Sequence, residues 1–204
     1  MKTGILGGTF DPVHNGHLKV AETVKKKLGL QNVIFVPAGQ PWMKADRTIT
    51  PVEQRVEMVR LAIAGHADFE LSLSEVNRPG STYTVQTIRE FRRKFGEGAE
   101  IYFIIGRDGL WHLPQWRSVR QLVKLCRIAV VPRPGFSLPD MDAMERQIPG
   151  LSESVVLLDK PEIDVSATEI RRRVAQGLLW KTLVPAPVAE YIAVHKLYMN
   201  GEQI

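Results

Sequence analysis

The sequence predicts an α/β fold built on a doubly wound parallel sheet. Short apolar, β-prone runs alternate with helix-period segments through almost all of the 204 residues, which is the pattern of successive βαβ units. The runs at 101–105 and 128–131 are apolar throughout, as expected of parallel strands that helices cover on both faces. No internal repeat, low-complexity tract or long linker divides the chain, so we predict a single domain over residues 1–204.

Six strands are predicted from the apolar runs, with helices between them. The strands are expected at 4–7, 33–37, 69–73, 101–105, 128–131 and 155–158. Leu18, Ala21, Val24 and Leu28 form one apolar stripe that stops at Gly29, which indicates the first helix.

The remaining helices have recognisable ends. The run Thr50-Pro51-Val52-Glu53 combines the pattern of a capping box with proline at the first helical position, so a second helix should run from there toward 64. A third is expected over 85–95 and the last over 187–197. The segment 133–149 contains three prolines after a strand and is predicted to be a surface excursion.

The composition argues against a disulfide-bonded protein, a cysteine-based metal site and a membrane-spanning protein. A 44% hydrophobic and 24% charged content is ordinary for a globular protein. The single cysteine, Cys126, excludes an internal disulfide and a cysteine-built metal site, and a small buried apolar role is expected for it. Met1-Lys2-Thr3 leads directly into a strand, and no run approaches ~18 apolar residues. We therefore expect a cytoplasmic protein without a membrane span.

The net charge of +5 and the pI near 9.4 favour an anionic partner. Arg89, Arg92, Arg93 and Lys94 lie on one predicted helix, and the arginines at 171–173 lie on another. On charge alone, these clusters fit either a nucleic-acid surface or, as we prefer, solvated helix faces.

The connection after the first strand, GGTFDPVHNGH, contains more glycine, histidine and other polar residues than a turn requires. Gly7 and Gly8 let the backbone turn sharply and approach a bulky ligand, and the N–H groups that follow, up to the next helix, can cradle phosphate oxygens. Neither a Gly-Lys-Ser/Thr nor a GxGxxG pattern is present, so the stretch is not a Walker A loop or a dinucleotide fingerprint. Asp11 is interpreted as a turn residue.

The two histidines in this connection have a spacing that suits binding to phosphate oxygens. His14 and His17 are three residues apart at a helix start and should project to one side, with Gly16 keeping the backbone clear of the ligand. Imidazoles offer N–H donors to oxygens that gain negative charge during phosphoryl or nucleotidyl transfer. A helix cap is the structural alternative, and a metal site would need further ligands that the other histidines do not obviously supply.

The eleven-residue stretch G-G-T-F-D-P-x-H-x-G-H resembles the signature of the HIGH-superfamily nucleotidyltransferases, and in this extended form that of the bacterial nicotinate-nucleotide adenylyltransferases. The stretch VSATEIR, residues 165–171, is similar to the ISSTxIR motif of that family, with Ala167 in place of a serine. Further stretches agree in order and spacing: FVPAGQPWMK, TPVEQRVEMVRLAI, RPGSTYTVQTI, YFIIGRDGLWHLPQW, VVPRPG and LVPAPVAEYI. The resemblance covers nearly the whole chain and is weakest over 136–154. Met43 and His112 depart from it.

The resemblance implies a Rossmann-like nucleotidyltransferase fold and a reaction in which the 5′-phosphate of nicotinate mononucleotide attacks the α-phosphorus of ATP. The products would be nicotinate adenine dinucleotide and pyrophosphate. Mg²⁺ would arrive with ATP, with no dedicated protein site, and the partners would be these two nucleotides rather than a nucleic acid or a membrane. The oligomeric state stays open.

The resemblance also assigns the ATP side of the site. His14 and His17 would contact phosphate oxygens, with His17 on the reacting α-phosphate. The other residues implied for ATP are Gly7, Gly8 and Thr9 at the phosphates, Phe10 against the nucleotide, Gly106 and Asp108 at the ribose, and Ser166, Thr168 and Arg171 at the β- and γ-phosphates. From the residues alone, Ser166 with Glu169 forms a capping box, so a surface helix is the alternative for that segment.

On the acceptor side, Lys44 would contact the mononucleotide phosphate and Trp116 would stack on the pyridine ring. Thr84, at the expected start of the third helix, would bind the nicotinate carboxylate. Core packing is the alternative for Trp116, and nicotinamide mononucleotide and 4′-phosphopantetheine are alternative acceptors. A class I aminoacyl-tRNA synthetase shares HxGH but needs a longer chain and a KMSKS motif. A non-catalytic RNA-binding protein would show salt-dependent RNA affinity and no pyrophosphate release.

Overall fold

A computed structural model describes residues 1–40 and 49–199 and shows six parallel strands in one sheet. The strands are β1 (Lys2–Gly8), β2 (Asn32–Pro37), β3 (Phe69–Leu71), β4 (Glu100–Gly106), β5 (Arg127–Val131) and β6 (Val155–Leu157). All six predicted strands are confirmed, although β3 is two residues shorter than predicted and β1 is longer at both ends.

The strand order in the sheet is β3-β2-β1-β4-β5-β6, and every neighbouring pair is parallel. The chain therefore builds outward from β1 in one direction as far as β3, then returns to place β4 on the other side of β1. In such doubly wound sheets, ligands bind beyond the carboxyl ends of the strands at the point where this direction reverses. That point lies between β1 and β4.

Nine α-helices connect or flank the strands within the described residues: α1 (Asn15–Leu28), α2 (Val52–Ile63), α3 (Thr84–Phe95), α4 (Arg107–His112), α5 (Val119–Leu125), α6 (Met141–Gln147), α7 (Leu151–Ser154), α8 (Ala167–Ala175) and α9 (Ala186–Val194). The first helix ends at Gly29, whose φ of 62° is the left-handed cap that the sequence indicated. The capping box at Thr50 was wrong. Pro51 precedes the first turn of α2, and no side chain caps that helix start.

The predicted surface excursion over 133–149 is wrong in part. Residues 141–147 form α6, and Met144 and Ile148 are buried. Asp140 caps this helix by accepting a hydrogen bond from the backbone N–H of Ala143 at 3.0 Å. The segment therefore returns to the core after a loop over 132–140.

The sheet is covered on both faces by separate apolar clusters. Helices α1, α2, α8 and α9 pack on one face, while α3, α5, α6 and α7 pack on the other. Neighbouring residues of one strand serve opposite clusters, such as Leu6 and Ile5 of β1. Cys126 is buried in the second cluster, and burial raises the pKa of its thiol to about 12. Across residues 1–40 and 49–199, no helix has the length and apolarity to cross a bilayer.

Candidate active site

A cavity of about 260 Å³ opens at the carboxyl end of the sheet, where β1 and β4 lie side by side. Its walls come from the ends of β1, β4 and β5 and from the first turn of α1. Seven of the residues singled out in the sequence line it: Gly7, His14, Gly16, His17, Gly106, Asp108 and Trp116. The tertiary structure therefore brings together segments that are more than 100 residues apart, at the place where this topology binds ligands.

The loop between β1 and α1 turns at a different residue from the one expected. Gly7 and Gly8 continue β1, and the left-handed backbone conformation falls on Phe10, whose φ is 50°. The Phe10 ring is only 2% exposed and packs on Phe35 in the core. The ring therefore supports the loop from within the core and has little exposed surface for the predicted contact with a nucleotide.

The two histidines form a stacked pair at the start of α1. Their ring centroids are 3.6 Å apart with an angle of 25° between the planes, and the Phe10 ring meets the His17 ring edge-on at 5.0 Å. The backbone N–H of His14 donates to Nδ1 of His17 at 3.1 Å. Because Nδ1 of His17 accepts this bond, the ring carries its proton on Nε2, so His17 holds an N–H donor on the side away from its own helix start.

His14 is the residue immediately before α1, and its side chain is 4% exposed. Burial lowers its pKa from 6.5 to about 3, with the positive charge of Arg133 adding to the effect. His14 is therefore a neutral imidazole at pH 7. Its Nδ1 is buried, and the two histidines form a capping box at this helix start, which is the structural role considered for the pair from the sequence.

Gly16 explains how the two rings can stand so close to the backbone. A Cβ at this position would lie 2.5 Å from Cγ2 of Ile163 and 2.9 Å from Nδ1 of His14. Any side chain would therefore displace the histidine or the segment that leads into α8. The HNGH sequence thus uses glycine for a close approach.

The ribose-side residues lie at the end of β4, where Gly106 is the last strand residue and Asp108 is in the first turn of α4. The carboxylate of Asp108 lies against Gly106 so closely that a Cβ there would collide with Oδ1. Its Oδ2 is 3.6 Å from Nε of Arg133, and both side chains are about 37% exposed. The pair is therefore open to solvent and available to a ligand.

Helix α8 begins four residues after Ile163, which lines the cavity. Ser166 caps it by accepting from the backbone N–H of Glu169 at 3.2 Å, as predicted. Thr168 is exposed. Arg171 was expected to contact the β- and γ-phosphates of ATP. In the structure it is only 6% exposed, and its Nη1 donates to the backbone oxygen of Asp11 at 2.8 Å.

The acceptor-side residues lie around α3 and the turn after α4. Thr84 is the first residue of α3. The Trp116 ring meets Phe103 edge-on at 5.8 Å and lines the cavity. The guanidinium of Arg117 lies 4.5 Å from the centre of the Tyr83 ring, so the residues next to Thr84 and Trp116 are in contact. Lys44, and the departure at Met43, lie outside the described residues.

Sequence reasoning missed several residues that shape this site. Arg133 and Ile163 line the cavity, while Arg55 and Tyr198 hold the loop between β1 and α1. The position of Arg133 just after β5 was a usable signal, because it places this residue at the same edge of the sheet as Gly7 and Gly106. Nothing local in the sequence indicates the other three.

Throughout residues 1–40 and 49–199, no three His, Cys, Asp or Glu side chains form a group that could hold a metal ion.

Comparisons with known proteins agree with this geometry. The cytidylyltransferase-like family model matches residues 5–173. A protein of Dehalococcoides mccartyi named "Probable nicotinate-nucleotide adenylyltransferase" is 48% identical over 97% of each chain. One of the same name from Thermomicrobium roseum is 42% identical over 98% of this chain and 93% of its own. Among solved structures, Plasmodium falciparum nicotinic acid mononucleotide adenylyltransferase complexed with NaAD has a TM-score of 0.78 at 18% identity, covering 97% of each chain.

Proposed function

We propose, from the premise that this chain belongs to the nicotinate-nucleotide adenylyltransferase family within the cytidylyltransferase-like group, that it transfers the adenylyl group of ATP to nicotinate mononucleotide. The products are nicotinate adenine dinucleotide and pyrophosphate, and the reaction is a step of NAD biosynthesis. The single observation that carries the proposal is the stacked His14–His17 pair at the start of α1, beside a cavity at the β1–β4 switch point.

The chemistry suits a site without a general base. An oxygen of the mononucleotide phosphate, already an anion at neutral pH, forms a bond to the α-phosphorus of ATP. The bond between that phosphorus and the bridging oxygen to the β-phosphorus breaks, and pyrophosphate leaves with the electron pair. Catalysis then consists of holding the two phosphates in line and stabilising the added negative charge.

The two histidines divide this work. His17 donates from Nε2–H to an oxygen of the α-phosphate, because its Nδ1 is already bound to the backbone of His14. His14 is neutral and supplies a short-range donor rather than a fixed positive charge. A bound phosphate beside His14 would favour protonation of the imidazole. The ring could then become positively charged as negative charge develops on the phosphate oxygens.

The departing pyrophosphate would lie between the starts of α1 and α8. Both helix starts present backbone N–H groups and the positive end of a helix dipole, and Thr168 adds an exposed hydroxyl. Arg171 donates to the backbone carbonyl of Asp11, so its positive charge would act on the phosphates across the loop between β1 and α1. Divalent metal use is general in nucleotidyl transfer from ATP, and we propose that Mg²⁺ enters with ATP as part of the substrate, on phosphate oxygens.

The acceptor is selected by its pyridine substituent. Thr84 places hydroxyl and N–H donors at the start of α3, which suits a carboxylate that accepts at both oxygens. The amide of nicotinamide would turn an NH₂ toward these donors. A buried mismatch of this kind costs roughly 1–3 kcal/mol, so we expect kcat/KM for nicotinate mononucleotide to exceed that for nicotinamide mononucleotide by about tenfold or more.

The test is pyrophosphate release from ATP with nicotinate mononucleotide, nicotinamide mononucleotide and 4′-phosphopantetheine as acceptors. Release with none of them, together with salt-dependent RNA binding, would favour the non-catalytic alternative. Equal kcat/KM for the two pyridine mononucleotides would show a dual-specificity enzyme. The single domain and the cytoplasmic location remain predictions beside this proposal.

A further inference from the structure

A buried polar cluster lies beneath the loop that carries the histidines. Its centre is Asp11, which is 5% exposed and was interpreted from the sequence as a turn residue. The Tyr198 hydroxyl donates to Oδ1 of Asp11 at 2.7 Å, and Nη1 of Arg171 donates to its backbone oxygen at 2.8 Å. These partners are 187 and 160 residues away in the chain, so Asp11 joins the loop to both α8 and the C-terminal segment.

Arg55 holds the same loop two residues earlier. Its guanidinium is almost fully buried, and Nη1 donates to the backbone oxygen of Thr9 at 2.7 Å. In a trans peptide, the carbonyl of one residue and the N–H of the next point in opposite directions. The N–H of Phe10 is therefore turned away from Arg55. The loop is thus fixed at Thr9 and again at Asp11, on both sides of the residue where it turns.

The chain adopts a strained backbone conformation where it brings Tyr198 to Asp11. After α9 ends at Val194, Lys196 and Tyr198 both have left-handed φ angles, 52° and 65°. Non-glycine residues keep this conformation only where surrounding contacts enforce it. The Tyr198 side chain is 3% exposed. Burial and the neighbouring Asp11 charge both raise the pKa of its hydroxyl, which therefore stays protonated and donates throughout the physiological range.

We propose that Tyr198 is a positioning residue for adenylyl transfer, acting through its hydrogen bond to Asp11 to fix the loop that presents His14 and His17 to the α-phosphate of ATP. The inference rests on the proposed function. Tyr198 itself does not line the cavity. Its effect passes through the loop, since Asp11 lies three residues before His14.

The experiment compares two variants that each remove a tyrosine hydroxyl bonded to a carboxylate, one in a buried pair and one in a partly buried pair. Tyr198→Phe breaks the bond to Asp11. Tyr102→Phe breaks the bond to Glu100 at 3.1 Å, from a side chain that is 5% exposed near the amino end of β4, away from the cavity. Thermal midpoints, kcat, and KM for each substrate are measured on both variants and on the wild type.

We expect Tyr198→Phe to lower kcat by about tenfold, because small displacements of catalytic groups have large effects on rate. The KM for nicotinate mononucleotide should stay within about twofold, since Thr84 and Trp116 are not held by this cluster. Tyr102→Phe should change each kinetic constant by less than about twofold, because its hydroxyl bonds to a carboxylate at the opposite end of β4 from the cavity. Hydrogen exchange of the backbone amides over 9–14 should be faster in Tyr198→Phe alone.

Equal kinetic constants in the two variants would overturn the inference, whether or not the loop exchanges faster. A wild-type protein that releases no pyrophosphate would instead refute the proposed function, so the two failures are distinguishable. Asp11→Ala, which removes the acceptor of this bond, gives a second check. If Tyr198 acts through Asp11, the double variant loses no more kcat than the worse single variant, and additive losses would contradict the proposed route.

Discussion

Replacing His17 tests the catalytic and structural roles of one ring separately. The ring accepts the backbone N–H of His14 through Nδ1 and carries its donor on Nε2. His17→Ala removes both functions. His17→Asn keeps an acceptor, because the amide oxygen branches from Cγ as Nδ1 does, but the shorter side chain does not reach the position of Nε2. The pair of variants therefore separates the helix-start contact from the donor to the phosphate.

The magnitudes follow from these two contacts. Removing one donor to charge that develops in a transition state lowers kcat by about 10²–10³, or roughly 3–4 kcal/mol in the barrier. Leaving the His14 N–H without an acceptor costs about 1–3 kcal/mol of folding free energy. We therefore expect both variants to lose kcat to a similar extent. His17→Ala should also be the less stable of the two, by a few degrees in Tm.

The assay is pyrophosphate release at saturating ATP and nicotinate mononucleotide, with ATP affinity measured separately by equilibrium dialysis. ATP affinity should fall only a few-fold, since the proposed site offers the ground-state phosphates other partners at the starts of α1 and α8. If His17→Asn kept a kcat near that of the wild type while His17→Ala lost it, the role of His17 would be purely structural. Near-normal kcat in both variants would remove His17 from the mechanism.

Two further predictions concern the same helix start. The pKa of His14 is about 3 in the folded protein and 6.5 in the unfolded chain, so the unfolded chain binds more protons between these values. The contribution of the neutral His14 ring to the free energy of unfolding is therefore complete above pH 6.5 and falls as the pH drops toward 3, by about 1.4 kcal/mol per pH unit. Denaturant unfolding at several pH values should show a shallower loss in His14→Gln, and equal slopes would contradict a buried neutral ring. Gly16→Ala should lower kcat about tenfold or more and destabilise the fold by roughly 1–3 kcal/mol, because its Cβ would overlap His14 and Ile163. The matched control is Gly65→Ala, where an added Cβ meets no described atom within 4 Å, and comparable losses in the two alanine variants would refute the steric argument.

Much of the fold could be predicted because its signals are local. The apolar runs that became β1 to β6 and the stripe from Leu18 to Leu28 depend only on neighbours along the chain. The cap at Ser166 and the left-handed end at Gly29 are also short-range features. The prediction at Thr50 failed although it was local. Its backbone is bonded elsewhere: the oxygen accepts from Nε of Arg55, and the N–H donates to Oδ2 of Asp11, which lies 39 residues away.

The sequence by itself determined the chemistry of the candidate site, since glycines, histidines and a capped helix start are written within two short stretches. It could not determine which polar side chains would be buried. Arg171 and Asp11 look equally suited to ligand contacts or turns until they are found bonded to each other. Their roles toward ATP stay predictions. The position of Tyr198 beneath the loop was likewise invisible, because nothing near residue 198 encodes a contact 187 residues away.

Only the tertiary structure decided which strands would be neighbours. Placing β4 beside β1 puts the end of one strand, with its glycine and histidine loop, against the end of another that carries Asp108. The sequence order of the strands allows other arrangements, and the choice depends on how helices pack over both faces of the sheet at once. The cavity forms from that arrangement, because each segment alone supplies one wall and the enclosed space requires all of them.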